Sequence, residues 1–189
     1  MSETPPRTGL GEFRDVISDY KSIGPWAIGG SVAVPLVDYG LRIGPPWPPG
    51  INIITSIAEL LVLIAVFHFW FRFGYKRVSR RMIVLLVMLI ICFGAYLYFD
   101  SSYTFTAGAS SDKYVKGFVP RPEVAPLLSP DFTADDALSS NEYRPEAVWT
   151  KGSITAMRLT LLSLWLASFV LLSATIATFV IYHRRRAAL

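Results

Sequence analysis

The chain has 189 residues, of which 52% are hydrophobic and 17% are charged. Charged residues make up about 25% of a typical soluble domain, so the charged fraction is low. The charges are also unevenly placed, because long stretches of the sequence carry none. This composition excludes a disordered chain and a conventional soluble enzyme fold, and it indicates a membrane protein.

The first residues predict a tail followed by a surface helix. Residues 1–9 are polar and proline-rich, and we expect them to be disordered. Within residues 10–21, apolar side chains recur at helical spacing while charged ones fill the other face, which predicts a short amphipathic helix. We expect this helix to lie at the membrane interface; the alternative is a helix packed on the soluble surface of a partner.

Four apolar segments predict an all-α membrane protein with four transmembrane helices. A helix needs about 20 residues to cross a hydrocarbon core of about 30 Å. The first segment is weak because it is rich in glycine, and its alternative is a re-entrant or interfacial segment. The predicted spans are residues 23–43, 51–73, 82–99 and 154–182.

Two short basic segments orient these spans. Residues 72–81 and the tail 183–189 contain several Lys and Arg and no acidic residue. Such clusters mark the cytoplasmic side, so four spans place both termini in the cytoplasm. Because the basic residues of the chain cluster beside apolar segments, we expect the bilayer and not nucleic acid as the partner.

The polar residues 100–153 predict a small extracytoplasmic cap. Residues 103–107 and 114–119 flank a turn and favour a β-hairpin. Proline and glutamate at 121–123 and again at 144–146 favour helix starts, and Thr133 with Asp136 resembles an N-cap arrangement. A segment of this size hardly buries a core alone, so we expect it to lean on the membrane helices or on another subunit.

Glu59 is the ionisable residue that lies deepest in a predicted span. It is roughly 13 Å from the outer end of its helix, where a bare carboxylate is costly and faces protein or water. We predict that it pairs with Arg158, with Asp38 or Asn52 as further partners. The pair is interpreted either as a polar clamp that fixes helix register or as an ion or proton site.

Small side chains along the fourth span predict a close helix–helix contact. They recur at alternating spacings near 3.5 residues, which is typical of a packing seam. Whether the contact forms within the subunit or between subunits is left open. The stripe consists of Ala156, Thr160, Ser163, Ala167, Ala174 and Ala177.

Catalytic and metal-binding patterns are missing from the sequence. It contains no nucleophile elbow, no P-loop, no dinucleotide fingerprint and no zinc-protease motif. His68, Cys92 and His183 are too far apart along the sequence to suggest a metal cluster. We therefore expect a non-enzymatic protein without a cofactor or a metal.

Two stretches resemble a known group of proteins. The first is PPWPPG at 45–50 running into IITS at 53–56; the second is YVKGF at 114–118 with RPE at 121–123, closing at VWT 148–150 and SI 153–154. Together they are similar to small multipass membrane proteins encoded beside bacterial conflict-system effectors. The resemblance implies a partner or a membrane-acting module of the bacterial inner membrane in an antiphage locus.

These features lead to two functional hypotheses. The first is a non-enzymatic multipass module that packs through small-residue helix faces and anchors, scaffolds or forms the membrane component of a larger assembly. Its partners are the bilayer and either a second copy or another membrane or cytoplasmic protein. The second is a small transporter or ion-conducting subunit that uses Glu59 and Arg158 in the membrane.

Overall fold

The structure is a computed structural model that describes residues 43–70, 75–106, 113–128, 133–142 and 144–187. This part of the chain is mostly helical. Five α-helices and one two-stranded antiparallel sheet form it, with a 3-10 helix at Ala125–Leu127. The elements are α1 Ile51–Trp70, α2 Tyr75–Tyr103, β1 Thr104–Thr106, β2 Lys113–Val115, α3 Ala134–Ser140, α4 Pro145–Val148 and α5 Lys151–Ala187.

Several predicted elements lie outside the described residues. They are the tail 1–9, the amphipathic helix 10–21 and nearly all of the first span, including Asp38. The other three predicted spans fall on described helices, and the first span, residues 23–43, stays a prediction.

Three helices are long and apolar enough to cross a membrane. They are Ile51–Trp70, Lys76–Tyr103 and Lys151–His183, with mean hydropathies of 2.1, 2.7 and 2.2. Only 6% of the most apolar window of the second helix is buried, against 44% for the third. Because side chains such as Ile90 stay 64% exposed, these helices need an apolar surrounding, which indicates a membrane protein.

Two of the three long helices extend beyond the predicted spans. Tyr75 begins α2, so Lys76, Arg77, Arg80 and Arg81 lie in its first two turns instead of in a loop. Lys and Arg are good helix formers, and a charge marks where the hydrocarbon ends without ending the helix. In the same way α5 includes the basic residues that follow the fourth span.

The described residues divide into two compact units. The first unit comprises 52–88 and 169–187, apart from the gap at 71–74, and the second comprises 43–51 and the described part of 89–168. The core of the first unit joins Val66 of α1, Val78 of α2 and three residues of α5. Those three are Ala174, Ala177 and Ile181.

The second unit contains the connection between α2 and α5, residues 104–150, and the adjacent helix ends. Its core includes Leu138, Val148 and Trp149 together with Ile154 of α5. The connection therefore completes its core with a residue of a long helix, as its small size requires. The predicted hairpin is confirmed, with Phe105 opposite Tyr114 in the register of β1 and β2.

Local signals in the connection give mixed results. The cap of α3 is confirmed: the Thr133 hydroxyl accepts from the backbone N–H of Asp136, whose carboxylate accepts from the backbone N–H of Thr133. Hydrogen bonds from the Thr133 hydroxyl and backbone lower the pKa of Asp136. A single helical turn, α4, begins at Pro145 as predicted.

The helix start predicted at residues 121–123 is wrong. The backbone N–H groups of Val124 and Ala125 both donate to the Arg121 carbonyl, at 3.0 and 2.9 Å, and close a turn. The next residue is Pro126, which has no N–H to continue the hydrogen-bond ladder. A 3-10 helix follows instead of an α-helix.

Gly117 allows the connection to close against Trp149. It is buried, and a Cβ added to it would lie 2.6 Å from the Trp149 Cβ. The adjoining backbone is fixed by the Thr150 N–H donating to the Val119 carbonyl at 3.0 Å. A side chain at position 117 has to displace Trp149, which belongs to the core of the second unit.

Gly117→Ala is expected to lower the free energy of unfolding of the second unit by about 1–3 kcal/mol, because it overpacks this contact. Gly152→Ala is the matched control, since a Cβ there meets nothing within 4 Å and lies in the first turn of α5. Hydrogen–deuterium exchange of residues 113–128 measures both. Equal protection in the two variants would show that Gly117 is not needed for close approach.

Candidate intramembrane polar site

Glu59 lies in the middle of α1 and is only 5% exposed. Its helix neighbours Ile57, Leu60 and Leu61 are exposed, so the carboxyl group points away from the apolar outer surface of α1. Thr55 lies one turn earlier on the same face and is fully buried. The sequence identified Glu59 as a candidate by its depth in the predicted span. The structure shows that its side chain is buried within the first unit.

Ser173 of α5 provides the partner that the sequence did not indicate. Its hydroxyl faces the Glu59 carboxyl group, and Ser173 is itself buried. The next residue, Ala174, lies in the core of the first unit with Val66 of α1. Small residues at this contact allow the two helices to approach closely enough for a short side chain to reach the carboxyl group.

The second oxygen of the Glu59 carboxyl group has no hydrogen-bond partner in the part of the chain that the structure describes. A carboxylate in an apolar surrounding is costly unless it is paired and fully hydrogen-bonded. A proton or a cation compensates this cost. The geometry thus places a serine hydroxyl beside a carboxyl group that has one oxygen free to take up a positive charge.

Arg158 and Glu59 belong to different units, and their predicted pairing stays a prediction. Within the second unit, Arg158 is half-buried and lines a cavity with Tyr114, Glu142 and Glu146. The structure thus gives Arg158 a polar environment of its own beside the connection. Asp38, the third residue proposed for the pair, lies outside the described residues.

The small-residue stripe on α5 divides into two parts. Ala174 and Ala177 are buried in the first unit, whereas Ala156 and Ser163 are exposed, and Thr160 and Ala167 are half-buried. A straight α-helix drifts about 20° per heptad, so the stripe turns by about 60° over the three heptads from 156 to 177. One end of the stripe therefore packs inside the chain while the other faces outward.

Another face of α5 is buried in the second unit. Met157, Leu161 and Trp165 are almost fully buried, and the Trp165 ring lies 5.2 Å from the Tyr96 ring of α2. The Tyr96 hydroxyl donates to the Ile43 carbonyl. Sequence reasoning missed this face because nearly every position of α5 is apolar, so periodicity alone did not separate the inner from the outer side.

Histidine, cysteine and acidic side chains form no group able to hold a metal among the described residues. His68 is exposed and contacts the ring of Phe69, at 4.9 Å between centroids. The candidate site is therefore the Glu59 carboxyl group with Ser173. Comparison with protein-family models, with curated proteins and with solved structures finds no match to this chain.

A double-mutant cycle between Glu59→Leu and Ser173→Ala measures the contact between α1 and α5. We expect a coupling of about 0.6–1.7 kcal/mol in the free energy of unfolding, the range of interhelical hydrogen bonds in membranes. Denaturation with increasing sodium dodecyl sulphate in mixed micelles provides the four free energies.

Thr175→Ala is the control for this cycle, because the Thr175 hydroxyl donates to the Leu171 carbonyl of its own helix at 2.7 Å. Its coupling to Glu59→Leu is expected to be near zero. Equal coupling for Ser173 and Thr175 would contradict a specific bond to Glu59.

Proposed function

We propose that the chain is a non-enzymatic multipass module of the bacterial inner membrane that assembles through helix faces. It anchors or scaffolds a larger complex, or acts as its membrane component. The observation that carries this proposal is the exposed end of the α5 stripe, at Ala156 and Ser163, on a helix apolar enough to cross a membrane.

Physical chemistry supports assembly at this surface. In a bilayer, helix association is driven by close packing and interhelical hydrogen bonds, which small side chains favour, and not by burial of apolar area from water. Thr160 donates its hydroxyl to the Ala156 carbonyl of its own helix at 2.9 Å, so this polar side chain does not block an apolar contact. The stripe thus offers another helix a shallow and chemically neutral surface.

The resemblance of residues 45–56 and 114–123 to proteins of bacterial conflict systems supports the biological setting. It favours an antiphage locus in which this chain is the membrane partner of an effector. The basic segments at 76–81 and 183–186 support an orientation with both termini in the cytoplasm, where a cytoplasmic partner is reached.

Ser163→Leu is expected to reduce the assembly to a single chain of 21.0 kDa, because a leucine prevents close approach of a second helix. Native mass spectrometry of the protein in detergent measures the oligomer size. Gly94→Leu is the control, since it places a leucine side chain on α2 where a Cβ meets nothing within 4 Å. An unchanged oligomer in Ser163→Leu contradicts assembly through this stripe.

A second candidate function is a small transporter or ion-conducting subunit. The observation that favours it is the buried Glu59 oxygen without a hydrogen-bond partner among the described residues. A carboxyl group that takes up and releases a proton or cation inside a membrane helix is typical of an ion pathway. This proposal also uses Arg158, and its pairing with Glu59 stays a prediction.

Glu59→Gln is expected to abolish proton or cation flux in liposomes while the thermal unfolding midpoint stays within a few degrees of the wild type. The amide keeps the size of the side chain but cannot carry a charge. Glu123→Gln, the same change at an exposed residue of the connection, is expected to leave flux intact. Absence of flux in the wild-type protein contradicts this second function.

A further inference from the structure

The second unit contains a cavity to which neither proposed function assigns a ligand. Its volume is about 540 Å³, and Tyr114, Glu142, Arg144, Glu146 and Arg158 contribute its polar lining. Small-molecule sites commonly have volumes of roughly 300–1,000 Å³. The cavity is therefore large enough for a polar headgroup or a small metabolite.

The charges that line the cavity are divided between paired and unpaired groups. Arg144 and Glu142 form an ion pair at 2.9 Å, with both side chains largely exposed. Arg158 and the Glu146 carboxylate have no ion-pair partner in the described ranges. One cation and one carboxylate are thus left to face a ligand.

The position of Arg158 along α5 places the cavity at a membrane boundary. Residues 159–182 carry no charge and at 1.5 Å per residue form a run of roughly 36 Å, enough to cross a core of about 30 Å. The Tyr96–Trp165 contact gives the level of α2 beside α5, and Asp100, paired to Lys113 at 2.6 Å, follows Tyr96 by one turn. Charged groups of both helices therefore begin at the same end, where headgroups lie.

The backbone next to the cavity is strained. Glu142 has a φ of 53°, a left-handed conformation that a residue with a side chain seldom adopts. Such a conformation costs of order 1–3 kcal/mol, and here it ends α3 directly after the C-cap residue Asn141. This conformation belongs to the residue that holds Arg144 in its ion pair.

We propose that this cavity binds a zwitterionic phosphoethanolamine headgroup, with the phosphate on Arg158 and the ammonium group on Glu146. A guanidinium binds phosphate oxygens through two parallel hydrogen bonds, and the Tyr114 hydroxyl is a further donor. The unpaired Glu146 carboxylate disfavours an anion that carries no positive group. The headgroup of a bilayer lipid is the source that the boundary position favours. This inference goes beyond both proposed functions and requires only that the chain lies in a membrane.

The test is native mass spectrometry of the full-length protein in detergent with three probes. They are dihexanoyl phosphatidylethanolamine, dihexanoyl phosphatidylglycerol and soluble phosphoethanolamine. We expect the ethanolamine lipid to bind about tenfold or more tightly than the glycerol lipid, because one charge-assisted hydrogen bond is lost. If soluble phosphoethanolamine binds as tightly as the lipid, the headgroup chemistry is supported and the source is a soluble metabolite. If neither ethanolamine probe binds in preference to phosphatidylglycerol, the proposal is overturned.

Two substitutions separate the two halves of the site. Arg158→Gln is expected to weaken both ethanolamine probes about tenfold, and Glu146→Gln to remove the preference over phosphatidylglycerol. Lys151→Gln and Glu123→Gln remove the same charges from exposed residues outside the cavity and are expected to leave binding unchanged. Glu146 is exposed, so its variant tests the proposal even if Arg158→Gln unfolds. An unchanged preference in a folded Glu146→Gln protein, or equal losses in the controls, would overturn the proposal.

Discussion

The described structure depends above all on the burial of α5. This helix supplies Ala174, Ala177 and Ile181 to the core of the first unit and Ile154 to the core of the second. The polar connection is too short to build a core of its own, and α1 and α2 expose most of their apolar length. Each unit therefore packs against a different stretch of α5. A substitution in one stretch is expected to destabilise the unit whose core contains that stretch.

The second constraint is the cost of a carboxyl group in an apolar surrounding. The Ser173 hydroxyl beside Glu59 offsets part of that cost, and one carboxyl oxygen has no hydrogen-bond partner among the described residues. As a clamp, the group holds α1 to α5; as an ion site, it exchanges a proton or cation. The same geometry serves both interpretations, and they differ in whether the positive charge is exchanged during function.

Sequence reasoning succeeded where the signal was local. Turn and cap preferences over a few residues predict the hairpin, in which Phe105 lies opposite Tyr114, and the capping box of Thr133 and Asp136. It did not identify the buried face at Leu161 and Trp165, because an apolar helix has no polar side that marks the exterior. The partner of Glu59 was also missed, since a serine in a membrane helix usually bonds to its own backbone, as Ser168 does to Leu164.

The length of α5 has a mechanical consequence. The helix runs unbroken from Lys151 to Ala187, about 55 Å at 1.5 Å per residue. A continuous ladder of backbone hydrogen bonds is stiff to twisting, so a rotation of the first turns about the helix axis is carried to the basic residues at the other end. No break in this helix separates Arg158 from the basic residues that follow the fourth span.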